Sequence, residues 1–259
     1  MKPVVWSVDD RGVATVVLNR PEVNNAYDGS LILGLHEAMD ALGKLTGLRV
    51  VVIKGAGKHF QAGADLNWIN AVRVSSPEEN ERVSRATAEA VDRFNKLPLP
   101  TVALVQGFCV GGGTGLLAAT DVVIATEDAK FAISEVRWGL TAAIIIPQLV
   151  DAIGVRQVRR YALTGERFGA AEARRIGLVH EVVAATELEA TGDRIVSAML
   201  ENAPIGIAET KATALAQAAG QMGVGVLEEL IRSHAAKRQS AEAVEGLASF
   251  AEKRPGKWS

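Results

Sequence analysis

Two glycine-rich loops carry the residue types that point most clearly to chemistry. The first glycine loop covers residues 55–66 (GAGKHFQAGADL), and the second covers residues 106–115 (QGFCVGGGTG). Each follows a buried-strand pattern, and open α/β sheets bind ligands beyond the carboxyl ends of their strands. Small residues there let backbone N–H groups approach a ligand, and a helix start leaves several N–H groups unpaired. Two such groups converging on one oxygen would form an oxyanion hole, whereas neither loop has a phosphate-binding spacing.

A carboxylate in an apolar run is the second candidate. Glu135 lies within residues 130–139 (KFAISEVRWG). If this side chain is buried, its pKa rises toward the range that suits proton transfer. Residue types alone leave structural roles open, because the glycines could serve tight turns and Glu135 could be a surface partner of Arg137.

The composition excludes several other kinds of site. Cys109 is the one cysteine among 259 residues, and the four histidines are scattered, so neither a disulfide nor a zinc site is expected. The 28 Lys+Arg and 30 Asp+Glu are interspersed, which argues against a nucleic-acid partner. The apolar runs are too short for a membrane span and no signal peptide pattern opens the sequence, so we expect a soluble cytoplasmic protein.

We expect Cys109 to be a packed small hydrophobe, His59 to be a loop residue, and Asp65 to cap a helix.

Alternating strands and helices must position these loops. Val4–Val8 and Val13–Asn19 flank a turn and predict an antiparallel hairpin. Three short β-branched runs predict strands covered on both faces, namely Val50–Ile53, Thr101–Val105 and Val122–Ala125. The helical patterns between them are Ser30–Leu42, Pro77–Leu97 after a Ser76 N-cap, and Gly113–Thr120. The fold class is therefore α/β.

Helical patterns dominate after about residue 140, and only Leu178–Val183 still reads as a strand. The predicted helices are Ile144–Ile153, Val155–Thr164, Ala170–Ile176, Glu187–Glu201, Pro204–Gly220, Val224–Ser233 and Ala241–Lys253. A break near residues 195–203 predicts a core of residues 1–200 and a C-terminal helical module of residues 201–259. Because the module's helices are Ala-rich, we expect them to dock on the main domain or on another subunit.

Several motifs, in order along nearly the whole chain, resemble the enoyl-CoA hydratase/isomerase family, also called the crotonase superfamily. They are Leu18–Pro21 with Asn25-Ala26, Phe60–Leu66, Pro100–Ala103 before Gly111–Gly113, Ala129–Phe131, Leu163–Gly165, and Ala170–Ala173 before Gly177–Val179. The resemblance implies a crotonase-like spiral of ββα turns with a helical C-terminal module. It also implies assembly as a homotrimer or a dimer of trimers.

The resemblance further implies an acyl-CoA substrate and an enolate held by an oxyanion hole. By motif position, the N–H groups of Ala64 and Gly112 are the oxyanion donors, and Glu135 is the catalytic acid and base. The residues implied to contact the substrate are Ala64, Asp65, Leu66, Asn67 and Gly112. No separate cofactor is implied, since coenzyme A is part of the substrate.

One departure from the family pattern bears on the reaction. Simple hydratases of the family carry two catalytic glutamates, whereas here the first position is Gly115 and the second is Glu135. A single later glutamate is typical of Δ3,Δ2-enoyl-CoA isomerases and of bacterial hydratases that act on branched glutaconyl-CoA esters. The segments around Ala64–Trp68, Ser134–Leu140 and Arg159–Thr164 are similar to bacterial 3-methylglutaconyl-CoA and isohexenylglutaconyl-CoA hydratases.

We therefore expect an enoyl-CoA hydratase that adds water across a conjugated C=C, on a branched glutaconyl-CoA-type substrate. An isomerase with a single glutamate is the first alternative. A non-catalytic homologue that binds acyl-CoA or RNA is the second, although the near-neutral charge and the presence of Glu135 count against it.

Overall fold

The computed structural model describes residues 2–218 and 240–257. Its strands and helices alternate along most of the chain, which confirms the α/β class. The strands in these ranges are β1 (Val4–Val8), β2 (Val13–Leu18), β3 (Val50–Gly55), β4 (Thr101–Val105), β5 (Phe108–Val110), β6 (Val122–Thr126), β7 (Lys130–Ala132), β8 (Phe168–Gly169) and β9 (Glu181–Val183). The α-helices are α1 (Gly29–Leu42), α2 (Leu66–Arg73), α3 (Pro77–Asn95), α4 (Gly112–Ala118), α5 (Ile146–Thr164), α6 (Ala170–Ile176), α7 (Leu188–Leu200), α8 (Pro204–Ala218) and α9 (Ala241–Ala251).

The larger sheet has six strands in the order β1-β2-β3-β4-β6-β9. Strands β1 and β2 form the predicted antiparallel hairpin, and every later neighbour is parallel. Because β3 and β4 are adjacent parallel strands, their carboxyl ends lie at the same edge of the sheet. The two glycine loops leave from these two ends and therefore begin side by side.

A second sheet of three short strands, in the order β5-β7-β8, was not predicted from the sequence. Its β5 and β7 run parallel, and β7 pairs antiparallel with β8 through Phe131 and Phe168. The expectation that Leu178–Val183 would be the one strand after residue 140 was wrong, because β8 also lies there. Strands of two or three residues are too short to show a periodicity in the sequence.

The larger sheet is covered on both faces, as its β-branched strands predicted. On one face Leu31 of α1 and Phe94 of α3 belong to the main core cluster. On the other face Leu188 and Val196 of α7 pack with strand residues such as Ile124. The central strands are therefore rigidly held on both sides, which fixes where the glycine loops begin.

Local signals set most helix ends. Ser76 caps α3 as predicted, its hydroxyl accepting a hydrogen bond from the Glu79 N–H at 3.2 Å. The two helices predicted for residues 144–164 form one element, α5, interrupted at Gly154, whose φ of +74° is not helical. Helix α6 has the predicted bounds.

Polar groups join α8 to the core and α9 to α8. The Lys211 ammonium in α8 donates to the Asp121 carboxylate at 2.8 Å and to the Leu99 carbonyl at 3.0 Å. The Glu242 carboxylate in α9 accepts hydrogen bonds from the N–H groups of Ile205 and Gly206, and so caps the start of α8. The predicted helix Val224–Ser233 lies outside the described residues, and the division at residue 200 stays a prediction. Among the residues described, no helix has the length and apolar character needed to cross a membrane.

Candidate functional site

Backbone hydrogen bonds join the two glycine loops along their length. The Phe60 N–H donates to the Gln106 carbonyl at 2.9 Å. Gln61 exchanges two bonds of 3.0 Å, donating to the Phe108 carbonyl and accepting from the Val110 N–H. The loops therefore form one continuous backbone surface. Any backbone N–H group that these bonds leave unpaired points in a fixed direction.

Two glycines allow the loops to approach each other. Gly63 has a φ of +86°, and a Cβ there would lie 3.3 Å from the Val110 carbonyl oxygen. Gly111 has a φ of +55°, and a Cβ there would lie 3.2 Å from Glu135 Oε1 and 3.6 Å from Gly63 Cα. Both the left-handed backbone and the short distances require glycine. Gly63, Gly111 and the Glu135 carboxylate therefore meet at one point.

The N–H groups of Ala64 and Gly112 are among those that these bonds leave unpaired. One neighbour of each is satisfied: the Asp65 N–H donates to the Tyr27 carbonyl at 2.9 Å, and the Gly111 N–H donates to the Ala132 carbonyl at 2.8 Å. Within residues 2–218 and 240–257, neither the Ala64 nor the Gly112 N–H donates to a protein acceptor. Gly112 also begins α4, so the positive end of that helix lies here. This arrangement can stabilise a negative oxygen.

Glu135 borders the same cleft, which has a volume of about 1460 Å³ and is also bordered by Ala64 and Gly112. The residue begins a 3₁₀ turn, Glu135–Trp138, after β7. Its Oε2 atom is buried and has no hydrogen-bond partner among the described residues. Burial raises the pKa of this carboxyl above its ordinary value. A buried carboxylate with an unsatisfied oxygen can accept and return a proton.

Tyr27 is a cleft residue that the sequence analysis did not single out. Its backbone brackets Ala64, since its N–H donates to the Gly63 carbonyl at 2.8 Å while its carbonyl accepts from Asp65. Its ring lies against Gly112, where a Cβ would be 2.7 Å from Tyr27 Cε1. Burial, followed by the negative charge of Glu135, raises the pKa of the Tyr27 hydroxyl to about 12. The phenol is therefore protonated at any physiological pH.

The wall of the cleft beside Gly115 is apolar. A Cβ at Gly115 would lie 2.5 Å from Ile145 Cβ and closer still to its Cγ2. Ile145 is 2% exposed and also borders the cleft. No side chain fits at position 115 unless Ile145 moves.

Arg137 follows Glu135 in the same 3₁₀ turn and borders the cleft. Its Nε donates to the Gly165 carbonyl at 2.8 Å. Gly165 has a φ of +61°, and a Cβ there would lie 3.0 Å from that Nε, so glycine allows the arginine to lie flat against the backbone. Arg137 forms no ion pair with any described carboxylate. The remaining guanidinium N–H groups can bind an anion.

The other predicted site residues divide into two groups. Leu66 borders the cleft, whereas Asp65 and Asn67 do not, and their predicted contact with substrate stays a prediction. Asp65 caps α2 as expected, since its Oδ1 accepts from the N–H groups of Asn67 at 3.0 Å and Trp68 at 3.4 Å. The side chain of Arg20, from the Leu18–Pro21 motif, lies 3.4 Å from Asp65 Oδ2 and so holds the capping carboxylate in place.

Cys109 and His59 contribute to packing between the loops. Cys109 is fully buried, and burial raises the pKa of its thiol. His59 Nδ1 accepts a hydrogen bond from the Phe108 N–H at 3.0 Å, and its ring lies tilted by 34° against the Phe108 ring with centroids 4.7 Å apart. Burial and the nearby Lys58 charge lower the pKa of His59, so the ring stays neutral and keeps this bond.

Sequence reasoning missed Tyr27, Gln61 and Ile145. Gln61 Oε1 is a buried oxygen without a hydrogen-bond partner among the described residues. Tyr27 follows Asn25-Ala26 in a recognised motif, which was the signal that could have identified it. Ile145 carries no signal, because its role depends on contact with a residue 30 positions earlier. In the described ranges, no group of His, Cys, Asp and Glu side chains could hold a metal ion.

Comparison with known proteins gives a consistent result. The family model for enoyl-CoA hydratase/isomerase matches residues 9–259. A Thermus thermophilus protein, named provisionally as an enoyl-CoA hydratase, is 36% identical over 252 residues, which are 96% of this chain and 98% of the relative. The crystal structure of an enoyl-CoA hydratase from Shewanella pealeana has a TM-score of 0.94 at 34% identity, covering 99% of this chain and 96% of that one. Pseudomonas aeruginosa AtuE has a TM-score of 0.93 at 34% identity, covering 98% of each chain.

Proposed function

Because the chain belongs to the enoyl-CoA hydratase/isomerase family, we propose that it adds water to the conjugated double bond of an acyl-CoA thioester. The observation that carries this proposal is one juxtaposition. The half-buried carboxylate of Glu135, whose Oε2 atom is buried and unpartnered among the described residues, borders the same cleft as the unpaired N–H groups of Ala64 and Gly112. The homotrimer or dimer of trimers implied by the family resemblance and the cytoplasmic location expected from the sequence stay predictions.

The two N–H groups act on the thioester oxygen. When a nucleophile attacks C3 of a 2-enoyl thioester, negative charge moves through C2 to that oxygen. Donors fixed in advance by the joined loops stabilise this charge without reorganising, and one such donor is worth a factor of about 10²–10³ in rate. The substrate oxygen therefore belongs between Ala64 and Gly112.

Glu135 moves the proton. As the water oxygen bonds to C3, the Glu135 carboxylate takes a proton from that water. The neutral carboxyl then donates a proton to C2 of the enolate, which restores the charged carboxylate and leaves a 3-hydroxyacyl thioester. A raised pKa suits both halves of this cycle, because the acid and the base forms are then closer in free energy.

The finer proposal is a branched glutaconyl-CoA-type substrate, whose acyl group carries a second carboxylate. Arg137 supports it, because its guanidinium borders the cleft two residues beyond Glu135 and has no ion-pair partner among the described carboxylates. A substrate carboxylate would supply that partner through charge-assisted hydrogen bonds.

Isomerisation of a 3-enoyl-CoA is the second candidate, and the packing at Gly115 favours it. Since Ile145 fills the space beside Gly115, this wall of the cleft offers no second carboxylate to hold water. Glu135 alone could then carry a proton from C4 to C2, and no water would be added.

One experiment separates the two reactions. The enzyme is incubated in ¹⁸O-labelled water with 3-methylglutaconyl-CoA, crotonyl-CoA and 3-hexenoyl-CoA, and label and double-bond position are followed by mass spectrometry and NMR. Hydration predicts ¹⁸O at C3, with the glutaconyl ester preferred over crotonyl-CoA. Label-free migration of the 3-hexenoyl double bond as the sole reaction would establish the isomerase instead.

A variant tests the substrate preference. Arg137→Gln should lower kcat/KM for the glutaconyl ester about 10- to 100-fold, since it removes charge-assisted hydrogen bonds, and should leave crotonyl-CoA nearly unchanged. Arg73→Gln is the matched control, because Arg73 also borders the cleft but lies on α2. Equal losses on both substrates in Arg137→Gln would contradict the role of Arg137 in choosing the acyl group.

A further inference from the structure

A site with one carboxylate needs a second group to hold the attacking water. A water molecule that donates one proton to Glu135 still has to be oriented so that its lone pair points at C3. The apolar wall at Gly115 and Ile145 offers no such group. A hydrogen-bond donor elsewhere on the cleft wall would serve, because it can bind the water oxygen.

Tyr27 has the position for this task. Its backbone is bonded to residues on both sides of Ala64, and its ring lies against Gly112. These are the two residues whose N–H groups face the substrate oxygen in the proposed function. The tyrosine ring is therefore held at the oxyanion hole by the first glycine loop and by contact with the second.

The ring is also held by an aromatic neighbour. Trp68 meets it edge to face, with centroids 5.7 Å apart and an interplanar angle of 70°. Edge-to-face pairs of this kind favour one ring orientation. The ring of Tyr27 thus contacts both Trp68 and Gly112, which restricts the location of its hydroxyl.

Besides Gln61 Oε1, two polar groups on this part of the cleft lack partners among the described residues. The Tyr27 hydroxyl forms no hydrogen bond with any group in residues 2–218 and 240–257, and Glu135 Oε2 is equally unpartnered there. One is a donor that stays protonated and the other is an acceptor. A Cβ at Gly112 would lie 2.7 Å from Tyr27 Cε1, and a Cβ at Gly111 would lie 3.2 Å from Glu135 Oε1, so the two side chains lie against consecutive residues of the second glycine loop.

We propose that Tyr27 is a catalytic residue whose hydroxyl donates a hydrogen bond to the attacking water while Glu135 accepts a proton from the same water. This proposal rests on the hydration proposed above. The water oxygen forms its new bond to C3, its proton passes to Glu135, and Tyr27 keeps its own proton throughout. Tyr27 thereby takes the part of a second water-holding group in a site that has one carboxylate.

The test compares two reactions of the Tyr27→Phe variant. Hydration needs a held water, whereas exchange of the C2 hydrogens of a saturated acyl-CoA with D₂O needs only Glu135 and the oxyanion hole. We expect kcat for hydration to fall about 10- to 100-fold, the range for losing a hydrogen bond to a group that becomes charged. We expect C2 exchange, its pH profile and the affinity for butyryl-CoA to stay within about twofold.

Tyr161→Phe is the matched control. Tyr161 is a buried tyrosine in α5 whose hydroxyl donates to Glu172, outside the cleft. This variant should leave both reactions unchanged. Circular dichroism and thermal denaturation establish that each variant is folded.

Three other outcomes would contradict the proposed role of Tyr27 or the proposed hydration. Hydration within twofold of wild type in Tyr27→Phe would overturn the proposal. Equal losses of hydration and exchange, or a shifted exchange pH profile, would also overturn it, because Tyr27 would then act through Glu135 or the loop. If the wild-type enzyme exchanges C2 hydrogens but hydrates no enoyl-CoA, the proposed hydration itself fails.

Discussion

Replacing Gly115 with alanine tests the packing that closes one wall of the cleft. Gly115 lies in α4 with ordinary helical backbone angles, so alanine is conformationally allowed there. Its Cβ would lie 2.5 Å from Ile145 Cβ and closer still to Cγ2, whereas carbon atoms in contact are normally about 3.5–4.0 Å apart. Ile145 is 2% exposed and cannot swing into solvent.

Two effects of opposite sign compete in Gly115→Ala. Higher helix propensity would stabilise the protein by about 1 kcal/mol. Overpacking a buried site costs about 1–3 kcal/mol, and an overlap of more than about 1 Å favours the upper end of that range. We therefore expect a net loss of about 1–2 kcal/mol in the free energy of unfolding.

Repeating Gly115→Ala in a protein that lacks the Ile145 side chain should reverse the sign of its effect on stability. Ile145→Gly, which removes both Cβ and Cγ2, should alone cost about 3–6 kcal/mol, because it leaves a cavity and adds backbone freedom to the unfolded chain. In that background the clash is gone, so adding Gly115→Ala should now stabilise the protein by about 1 kcal/mol. The coupling between the two positions is then about 2–3 kcal/mol.

Urea denaturation of the four proteins measures this cycle, with unchanged m values as the condition for comparing midpoints. Gly29→Ala is the control, since a Cβ there meets its nearest neighbour, Trp68 Nε1, at an ordinary 3.5 Å. A stabilising Gly115→Ala in the wild-type background, or the same change in both backgrounds, would refute the proposed contact.

Three other predictions follow from individual contacts. Lys211→Met should lower the free energy of unfolding by about 1–3 kcal/mol, because it removes the charged partner of the half-buried Asp121 carboxylate, which keeps only its hydrogen bonds from Thr101. Lys54→Met, which removes a more exposed ion pair, should cost about 0–1 kcal/mol in the same urea titration. The lowered pKa of His59 means that its contribution to stability is complete above its unfolded pKa and is lost as the pH falls through the lower folded value. His59→Asn should therefore flatten the fall in melting temperature between pH 7 and 5, and an unchanged slope would contradict this. The raised pKa of Glu135 means that its charged form destabilises the fold, so Glu135→Gln should raise the melting temperature at pH 7 but not at pH 4, where both side chains are neutral.

The placement of the two glycine loops could be predicted because it depends on a regular feature. Val50–Ile53 and Thr101–Val105 were predicted as strands covered on both faces, and in the structure they are parallel neighbours, so their carboxyl ends bring the loops together. The N-caps at Asp65 and Ser76 could be predicted because each depends on residues within one helical turn.

The rest depends on contacts between segments that are distant in the sequence. The strands β5 and β7 have three residues each and form only because the chain returns beside itself. The ring of Tyr27 meets Gly112, and Ile145 fills the space beside Gly115, across 85 and 30 positions. No periodicity encodes such contacts, so the sequence motifs could suggest Glu135 and the Ala64 and Gly112 donors, which stay predictions, but not the groups that surround them.

The most direct test of the central claim is the turnover of Glu135→Gln on the best hydrated substrate of the panel. The substitution keeps the size of the side chain but removes its ability to accept a proton. We expect kcat for hydration to fall by about 10²–10⁴, with the Kd of a saturated acyl-CoA nearly unchanged and the protein still folded. A folded Glu135→Gln protein that keeps more than about a tenth of wild-type turnover would show that another group moves the proton, because a general acid or base is worth at least about 10² in rate.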